Sequence, residues 1–176
     1  MQTTEGRLRS KFVGALLGTF IGDALGAPVE GYPPDRLART LGDLEELPPG
    51  SGQRQIAEVV LGLLAGAAQP GTARYTDDTQ MMIGVTESLA ACGGFDGEDM
   101  ARRFAENFEG HRGYGPGGYG AIQALRRGVP WDQAATRLFG AGGSFGNGGA
   151  MRVAPLGTHP PPLRRPNSPT SRASQP

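Results

Sequence analysis

The sequence predicts an all-α protein, and two patterns favour that fold class. Apolar residues recur at three- and four-residue spacing, as Met82, Val85 and Leu89 do, which places their side chains on one face of a helix. No segment shows the strict apolar/polar alternation that is typical of a half-buried β-strand. We therefore expect a helical bundle.

The first predicted helix is the apolar run of residues 12–21, which we expect to be buried in the core. Four glycines lie four residues apart, so they share one face against which another backbone can pack closely. They are Gly14, Gly18, Gly22 and Gly26. Three basic residues before the run leave a secretory signal as the alternative, although Asp23 interrupts the end of the apolar stretch. The run is too short to span a bilayer.

Six more helices are predicted along the chain. Residues 35–41 follow a Pro/Gly loop, and residues 56–68 are apolar and end before Pro70. The clearest helix is 76–92, because Thr76 is a good N-cap residue and acidic residues occupy the first turn. Helices at 99–109, 118–127 and 131–139 complete the set.

Composition and charge exclude several function classes. The 176 residues carry 17 Lys+Arg and 17 Asp+Glu, and zero net charge weighs against a protein that binds nucleic acid by neutralising phosphates. The single cysteine, Cys92, cannot form an internal disulfide, and its apolar helix favours a place in the core. We expect a cytoplasmic protein without a membrane partner.

The strongest local signal for chemistry is YTDDTQM, residues 75–81. Asp77 and Asp78 are adjacent carboxylates at a helix start, and their repulsion would be compensated by a hard cation. Mg²⁺ and Mn²⁺ prefer carboxylate and hydroxyl oxygens, which Thr76, Asp77 and Asp78 supply. The alternative is a helix N-cap followed by a solvated acidic turn.

The second signal is the glycine-rich loop of residues 140–152, GAGGSFGNGGAMR. Glycine at this density lets backbone N–H groups surround an anion, and Phe145 is suited to stacking on a base. No Gly-Lys-Ser/Thr follows, so the loop is not a P-loop. The alternative is a flexible linker.

Two weaker signals complete the search. Glu30, on a loop after the first helix, is suited to proton transfer near a metal, although a surface carboxylate is the alternative. A literal G-x-G-x-x-G at residues 113–118 follows a helix and not a strand, so a dinucleotide site is poorly supported.

Four segments in this order resemble the ADP-ribosylglycohydrolase family, of the ADP-ribosyl-acceptor hydrolase and dinitrogenase-reductase-activating glycohydrolase type. They are GALLGTFIGDALGAPVEG, YTDDTQM, RGYGPG and SFGNGGAMRVAPLG. The resemblance implies a truncated all-α helical bundle of that type, corresponding to about the N-terminal half of a family domain. It also implies two Mg²⁺ or Mn²⁺ ions and hydrolysis of the bond between ADP-ribose and an acceptor, on an ADP-ribosylated protein or an ADP-ribose-containing small molecule.

The resemblance also implies roles for individual residues. Thr76, Asp77 and Asp78 would be metal ligands, Asp77 would also contact substrate, and Glu30 would be the movable glutamate that assists hydrolysis. The diphosphate and adenosine side of the substrate would be held by the glycine-rich loop. The loop residues concerned are Gly142, Gly143, Ser144, Phe145, Gly146, Asn147 and Gly148.

The chain departs from the family pattern at its C-terminal end. The family completes its metal site with Asp-x-Asp-Thr, which is absent here, so we expect half of the metal site to be missing and hydrolysis to be impaired. The alternative is a non-catalytic ADP-ribose-binding or structural family fragment. We expect residues 8–157 to form the family part and residues 158–176, rich in Pro, Arg and Ser, to be a disordered tail from a frame shift or early gene end. Without the remainder, apolar faces such as that of Met82, Val85 and Leu89 should lack partners.

Overall fold

The computed structural model describes residues 4–42, 44–64, 73–137, 144 and 146–158. Within these ranges the chain forms α-helices and short 3₁₀ turns and no β-strand, which confirms the all-α prediction. The helices are α1 (Thr4–Gly26), α2 (Pro34–Leu41), α3 (Gly52–Leu64), α4 (Asp77–Cys92), α5 (Gly97–Glu106), α6 (Pro116–Arg126), α7 (Trp131–Arg137) and α8 (Ala154–Thr158). The predicted tail from residue 159 onward, and Gly142, Gly143 and Phe145 of the glycine-rich loop, lie outside the described residues.

Helix α4 is the centre of the core. It packs against α1, α5 and α8, and Met82, Val85 and Leu89 are all buried. The expectation that this face would lack partners is therefore wrong. Helix α5 comes so close that a Cβ on Gly84 would lie 2.9 Å from a ring carbon of Phe104.

The bounds of α4 follow from its two caps. The Thr76 hydroxyl accepts a hydrogen bond from the Asp78 N–H at 3.2 Å, as an N-cap side chain does. Gly93 ends the helix in the left-handed region, at φ +69°, and donates its N–H to the Leu89 carbonyl. Cys92 is exposed in this last turn, so its predicted place in the core is wrong.

Helix α5 begins two residues before its predicted start. The Asp96 carboxylate accepts hydrogen bonds from the N–H groups of Glu98 and Asp99, at 3.0 and 2.9 Å, and so caps the helix earlier. Helix α6 likewise begins at Pro116, because proline in the first turn loses no helical hydrogen bond. Both starts are set by local chemistry.

Helix α1 is not the buried helix that the sequence predicts. Only Ala24 is buried, whereas Val13, Leu17 and Ile21 are 43–53% exposed. A Cβ added at any glycine of its stripe would meet nothing within 4 Å among the described residues, so the predicted close packing on that face is absent from them. Helix α1 nevertheless packs against α8 and α4, and Asp23, near its C-terminal end, is hydrogen-bonded to the start of α4.

One helical segment, Thr4–Val29, is long and apolar enough to cross a membrane by length and composition alone. This corrects the expectation that the run is too short, because the helix extends well beyond residues 12–21 on both sides. The core helix of a soluble protein or a signal sequence has the same properties, so the finding by itself assigns no membrane role.

Candidate functional site

The candidate site is built around the start of α4, where the end of α1 meets it. Asp23, near the end of α1, accepts hydrogen bonds through Oδ2 from the N–H groups of Thr76, at 2.9 Å, and Thr79, at 3.1 Å. Its Oδ1 accepts a third, at 2.8 Å, from the Thr76 hydroxyl. The carboxylate therefore binds the positive end of the α4 dipole and ties the two helices together.

Asp23 was missed as a site residue by the sequence reasoning, which treated it only as an interruption of the apolar run. The available signal was its cost: an ionised carboxylate in an apolar helix is unfavourable unless it is hydrogen-bonded. That cost predicts that the Asp23 carboxylate has hydrogen-bond partners, but it does not show which residues they are. Its partners lie 53 and 56 residues away along the chain.

The acidic start of α4 is crowded with negative charge. Burial, then the charge of Asp78 and more weakly those of Glu30 and Asp23, raises the pKa of Asp77 to about 6. Burial, followed by the charges of Asp23 and Glu30, also raises the pKa of Asp78. None of these four carboxylates forms an ion pair with any described residue. The cluster is therefore short of positive charge.

The sequence left two interpretations of residues 76–78 open, a cation site and an N-cap with a solvated acidic turn, and the burial of these residues bears on that choice. Thr76 is an N-cap, as the alternative holds, but Asp77 is only 8% exposed and does not belong to a solvated turn. Glu30 is exposed on the turn after α1 and is close enough to affect the pKa of both aspartates.

The donor chemistry fits one side of a hard-cation site. Asp77 and Asp78 offer carboxylate oxygens, the ligands that Mg²⁺ and Mn²⁺ prefer. The Thr76 hydroxyl already donates to Asp23 and accepts from the Asp78 N–H, which leaves it one lone pair at most. Across the described ranges, no group of three or more His, Cys, Asp and Glu side chains is placed to hold a metal ion.

A cavity of about 820 Å³ opens beside this acidic cluster. Asp77 forms part of its wall, and so do Ser144, Gly146, Asn147 and Gly148 of the glycine-rich loop. The structure thus brings the two strongest sequence signals to one cavity, although about 70 residues separate them. The volume lies within the range of about 300–1,000 Å³ that is typical of small-molecule sites.

The rest of the cavity wall is mainly apolar and was not foreseen. Phe104 and Met100 line it from α5, and Trp131 lines it from α7, where its indole lies against Gly97. The edge of one ring of the Phe95–Trp131 pair faces the other, with ring centroids 5.7 Å apart. A wall of this kind is suited to a flat aromatic ligand group.

The turn that carries the literal G-x-G-x-x-G lies against the acidic cluster. A Cβ on Gly113, which has φ +91°, would lie 3.8 Å from Asp77 Oδ1. Buried Gln80 holds this turn, because its Oε1 accepts hydrogen bonds from the Tyr114 hydroxyl at 2.7 Å and the Glu109 N–H at 3.1 Å. Burial and then the charge of Asp77 raise the pKa of Tyr114, so this phenol stays neutral.

The raised pKa of Asp77 predicts how stability changes with pH. Between its ordinary value of 3.8 and about 6, the folded state binds more protons than the unfolded state, so the free energy of unfolding should fall as pH rises. With allowance for solvent screening, we expect a loss of about 1–2 kcal/mol in the metal-free protein. Urea denaturation from pH 4 to pH 7, in chelator, measures it. Asp77→Asn should flatten the profile, and an unchanged slope in that variant would show that another group is responsible.

Comparison with known proteins agrees with the motifs. The family model for ADP-ribosylglycohydrolase matches residues 4–172. ADP-ribosylhydrolase ARH3 of Gallus gallus is 41% identical over 149 residues, which are 82% of this chain and 38% of the relative. The Mus musculus protein of the same name is 38% identical over 149 residues, 82% of this chain and 37% of the relative.

An uncharacterized protein of Archaeoglobus fulgidus is 34% identical over 155 residues, 85% of this chain and 43% of the relative. The chain therefore spans about two fifths of the length of the curated relatives it matches. Because the family model covers nearly the whole chain, this protein belongs to the ADP-ribosylglycohydrolase family.

Proposed function

We propose that this chain carries the site of an ADP-ribosyl hydrolase, which cleaves the glycosidic bond between ADP-ribose and a protein side chain or a related acceptor. The observation that supports this most is the shared cavity: Asp77 and eight residues of the glycine-rich loop line the same 820 Å³ space. The relatives named ADP-ribosylhydrolase support the same chemistry.

Different residues of the cavity wall would bind different parts of the substrate. Backbone N–H groups around Asn147 and Gly148 would face the diphosphate, and the apolar wall from α5 and α7 would take the base. Asp77 and Asp78 would hold Mg²⁺ or Mn²⁺, next to the ribose that bears the scissile bond. A bound divalent cation supplies Lewis-acid activation of water at that position. Glu30, exposed beside the two aspartates, would accept the proton.

Release of ADP-ribose tests the proposal directly. The chain is incubated with ADP-ribosylated protein in Mg²⁺, in Mn²⁺ and in chelator, and free ADP-ribose is measured. We expect slow release that requires a divalent cation. Release that is equal in chelator would overturn the metal role, and absence of release would remove the hydrolase proposal.

A second candidate function is ADP-ribose binding without hydrolysis. It is supported by the incomplete ligand set, because the described part of the chain contains no three-residue cluster able to hold a metal ion. Calorimetry with free ADP-ribose separates the cases: binding without release favours this candidate, and neither binding nor release favours a structural role.

The number of carboxylate ligands predicts how many divalent cations the chain binds and how tightly. With only Asp77 and Asp78 as carboxylate ligands, the chain should bind at most one Mn²⁺ per monomer, and weakly. Titration by calorimetry measures this, and Asp78→Asn should abolish the binding. Asp35→Asn is the matched control, because Asp35 forms an exposed ion pair on α2 far along the chain. Two tight sites per monomer would contradict the prediction.

A further inference from the structure

Arg152 stands in the cavity wall without an acidic partner. It is the last residue of the glycine-rich loop, just before α8, and is half-buried. Its guanidinium lies over the Phe104 ring, 4.9 Å from the centroid, and its Nη1 lies 3.4 Å from the Met81 sulfur. A thioether is a weak acceptor, so Met81 satisfies little of the donor capacity of the guanidinium. No Arg152 nitrogen is among the fully buried side-chain atoms of the described residues that lack a partner, so its remaining N–H groups are open to the cavity or to solvent.

The described part of the chain contains many acidic residues, so the lack of an ion pair at Arg152 is not due to a shortage of carboxylates. Arg152 makes no ion pair with any described residue, whereas Arg39, Arg54, Arg102, Arg103 and Arg112 each make at least one. Of the 17 Asp and Glu residues of the chain, only Asp43 lies outside the described ranges. Among the arginines whose side chains the structure describes as half-buried, Arg152 is therefore the one without an ion pair.

A half-buried cation without an ion pair loses part of its hydration, and arginine does not escape that cost by losing its proton. Burial lowers the pKa of Arg152, but a guanidinium stays charged throughout the physiological range. An apolar residue of similar length would fill the same wall beside Met81 and Phe104 without that cost. The contact with the Phe104 ring offsets part of this cost, and the N–H groups that stay open to the cavity are suited to an anion that enters it.

The chemistry of the cavity indicates which anion. Gly146, Asn147, Gly148 and Gly149 line the same wall as Arg152. A guanidinium offers two parallel donors that match phosphate oxygens. Asp77 also lines the cavity, with opposite charge and no ion pair to Arg152. We infer that Arg152 binds the diphosphate of the ligand and so fixes which part of it lies next to the glycine-rich loop. This inference rests on the proposed function for the identity of the ligand, but not for its phosphate chemistry.

The test compares Arg152→Met and Arg152→Lys with Arg126→Gln, an exposed arginine that lies over the Phe108 ring. Binding of ADP-ribose, inorganic pyrophosphate and adenosine to the full chain is measured by calorimetry, and stability by urea denaturation. Because charged hydrogen bonds contribute about 1.5–3 kcal/mol, Arg152→Met should weaken ADP-ribose and pyrophosphate binding by about 10–100-fold. Adenosine affinity should stay unchanged, Arg152→Lys should be intermediate, and Arg126→Gln should match the parent chain.

Stability separates a ligand role from a packing role. Arg152→Met should unfold at the same or higher urea concentration, because methionine can keep a contact with Phe104 while a half-buried charge without an ion pair is removed. Lower stability, equal loss of adenosine affinity, or unchanged ADP-ribose affinity in Arg152→Met would each overturn the inference. Binding of pyrophosphate that depends on Arg152, without binding of ADP-ribose, would overturn the proposed function and leave the inference standing. If the parent chain binds neither ligand, both are overturned.

Discussion

Replacing Asp23 by Asn is expected to destabilise the fold by about 2–4 kcal/mol. The carboxylate accepts three hydrogen bonds, from the N–H groups of Thr76 and Thr79 and from the Thr76 hydroxyl. An Asn side chain has one acceptor oxygen, and its NH₂ group would face a donor, which leaves at least one half-buried donor unsatisfied. The lost charge also removes the favourable interaction with the α4 dipole. Urea denaturation at pH 7 measures the change.

Asp35→Asn is the matched control for Asp23→Asn. Asp35 is also a helical aspartate, but it pairs with Arg39 on the surface, with both side chains about two-thirds exposed. Such pairs contribute little, so the control should lose less than about 0.5 kcal/mol. If the two variants were equally stable, Asp23 would not be the residue that joins α1 to α4.

Asp77→Asn should have opposite effects on stability and on activity. At pH 7 in chelator, removing the charge should raise the free energy of unfolding by about 1–2 kcal/mol, because the ionised form is disfavoured in the fold, as its raised pKa shows. Release of ADP-ribose in Mn²⁺ should fall by at least about 100-fold, the loss expected when a charged group at a reaction site is removed. Denaturation and initial-rate measurements on the same preparation test both parts.

Glu58→Gln is the control for this pair of effects. Glu58 lies on α3, half-exposed and paired with Arg54, and does not line the cavity. Its replacement should change neither the rate nor the stability appreciably. A parent-like rate in Asp77→Asn would remove Asp77 from the reaction site, whatever its effect on stability.

Local chemistry explains which parts of the fold the sequence predicted. Helix α4 begins at its Thr76 cap and ends at Gly93, and both signals are readable within a few residues of each helix end. The predicted burial of helix α1 was wrong because burial depends on what packs against a helix. The glycine stripe and apolar residues of α1 do not determine which element that is. For the same reason Cys92 was misplaced, since its exposure depends on where α4 ends relative to its neighbours.

The residues of the candidate site also fall into those that local sequence predicts and those that depend on contacts between distant segments. Asp77, Asp78 and the glycine-rich loop could be selected because their chemistry is concentrated in short segments. The roles of Asp23 and of Arg152, the last residue of that loop, could not be predicted, because each residue acts through contacts with residues more than 50 positions away. The aromatic wall of Phe104 and Trp131 likewise arises only when α5 and α7 come together.

One ligand is expected to contact both the start of α4 and the glycine-rich loop. Titrating the ¹⁵N-labelled chain with ADP-ribose and following the backbone amide signals tests it most directly. We expect the amides of Asp77, Gly146, Asn147 and Gly148 to shift together and to saturate at one ligand concentration. Shifts confined to residues away from this cavity, or no shifts at millimolar ADP-ribose, would contradict a ligand site shared by these two segments.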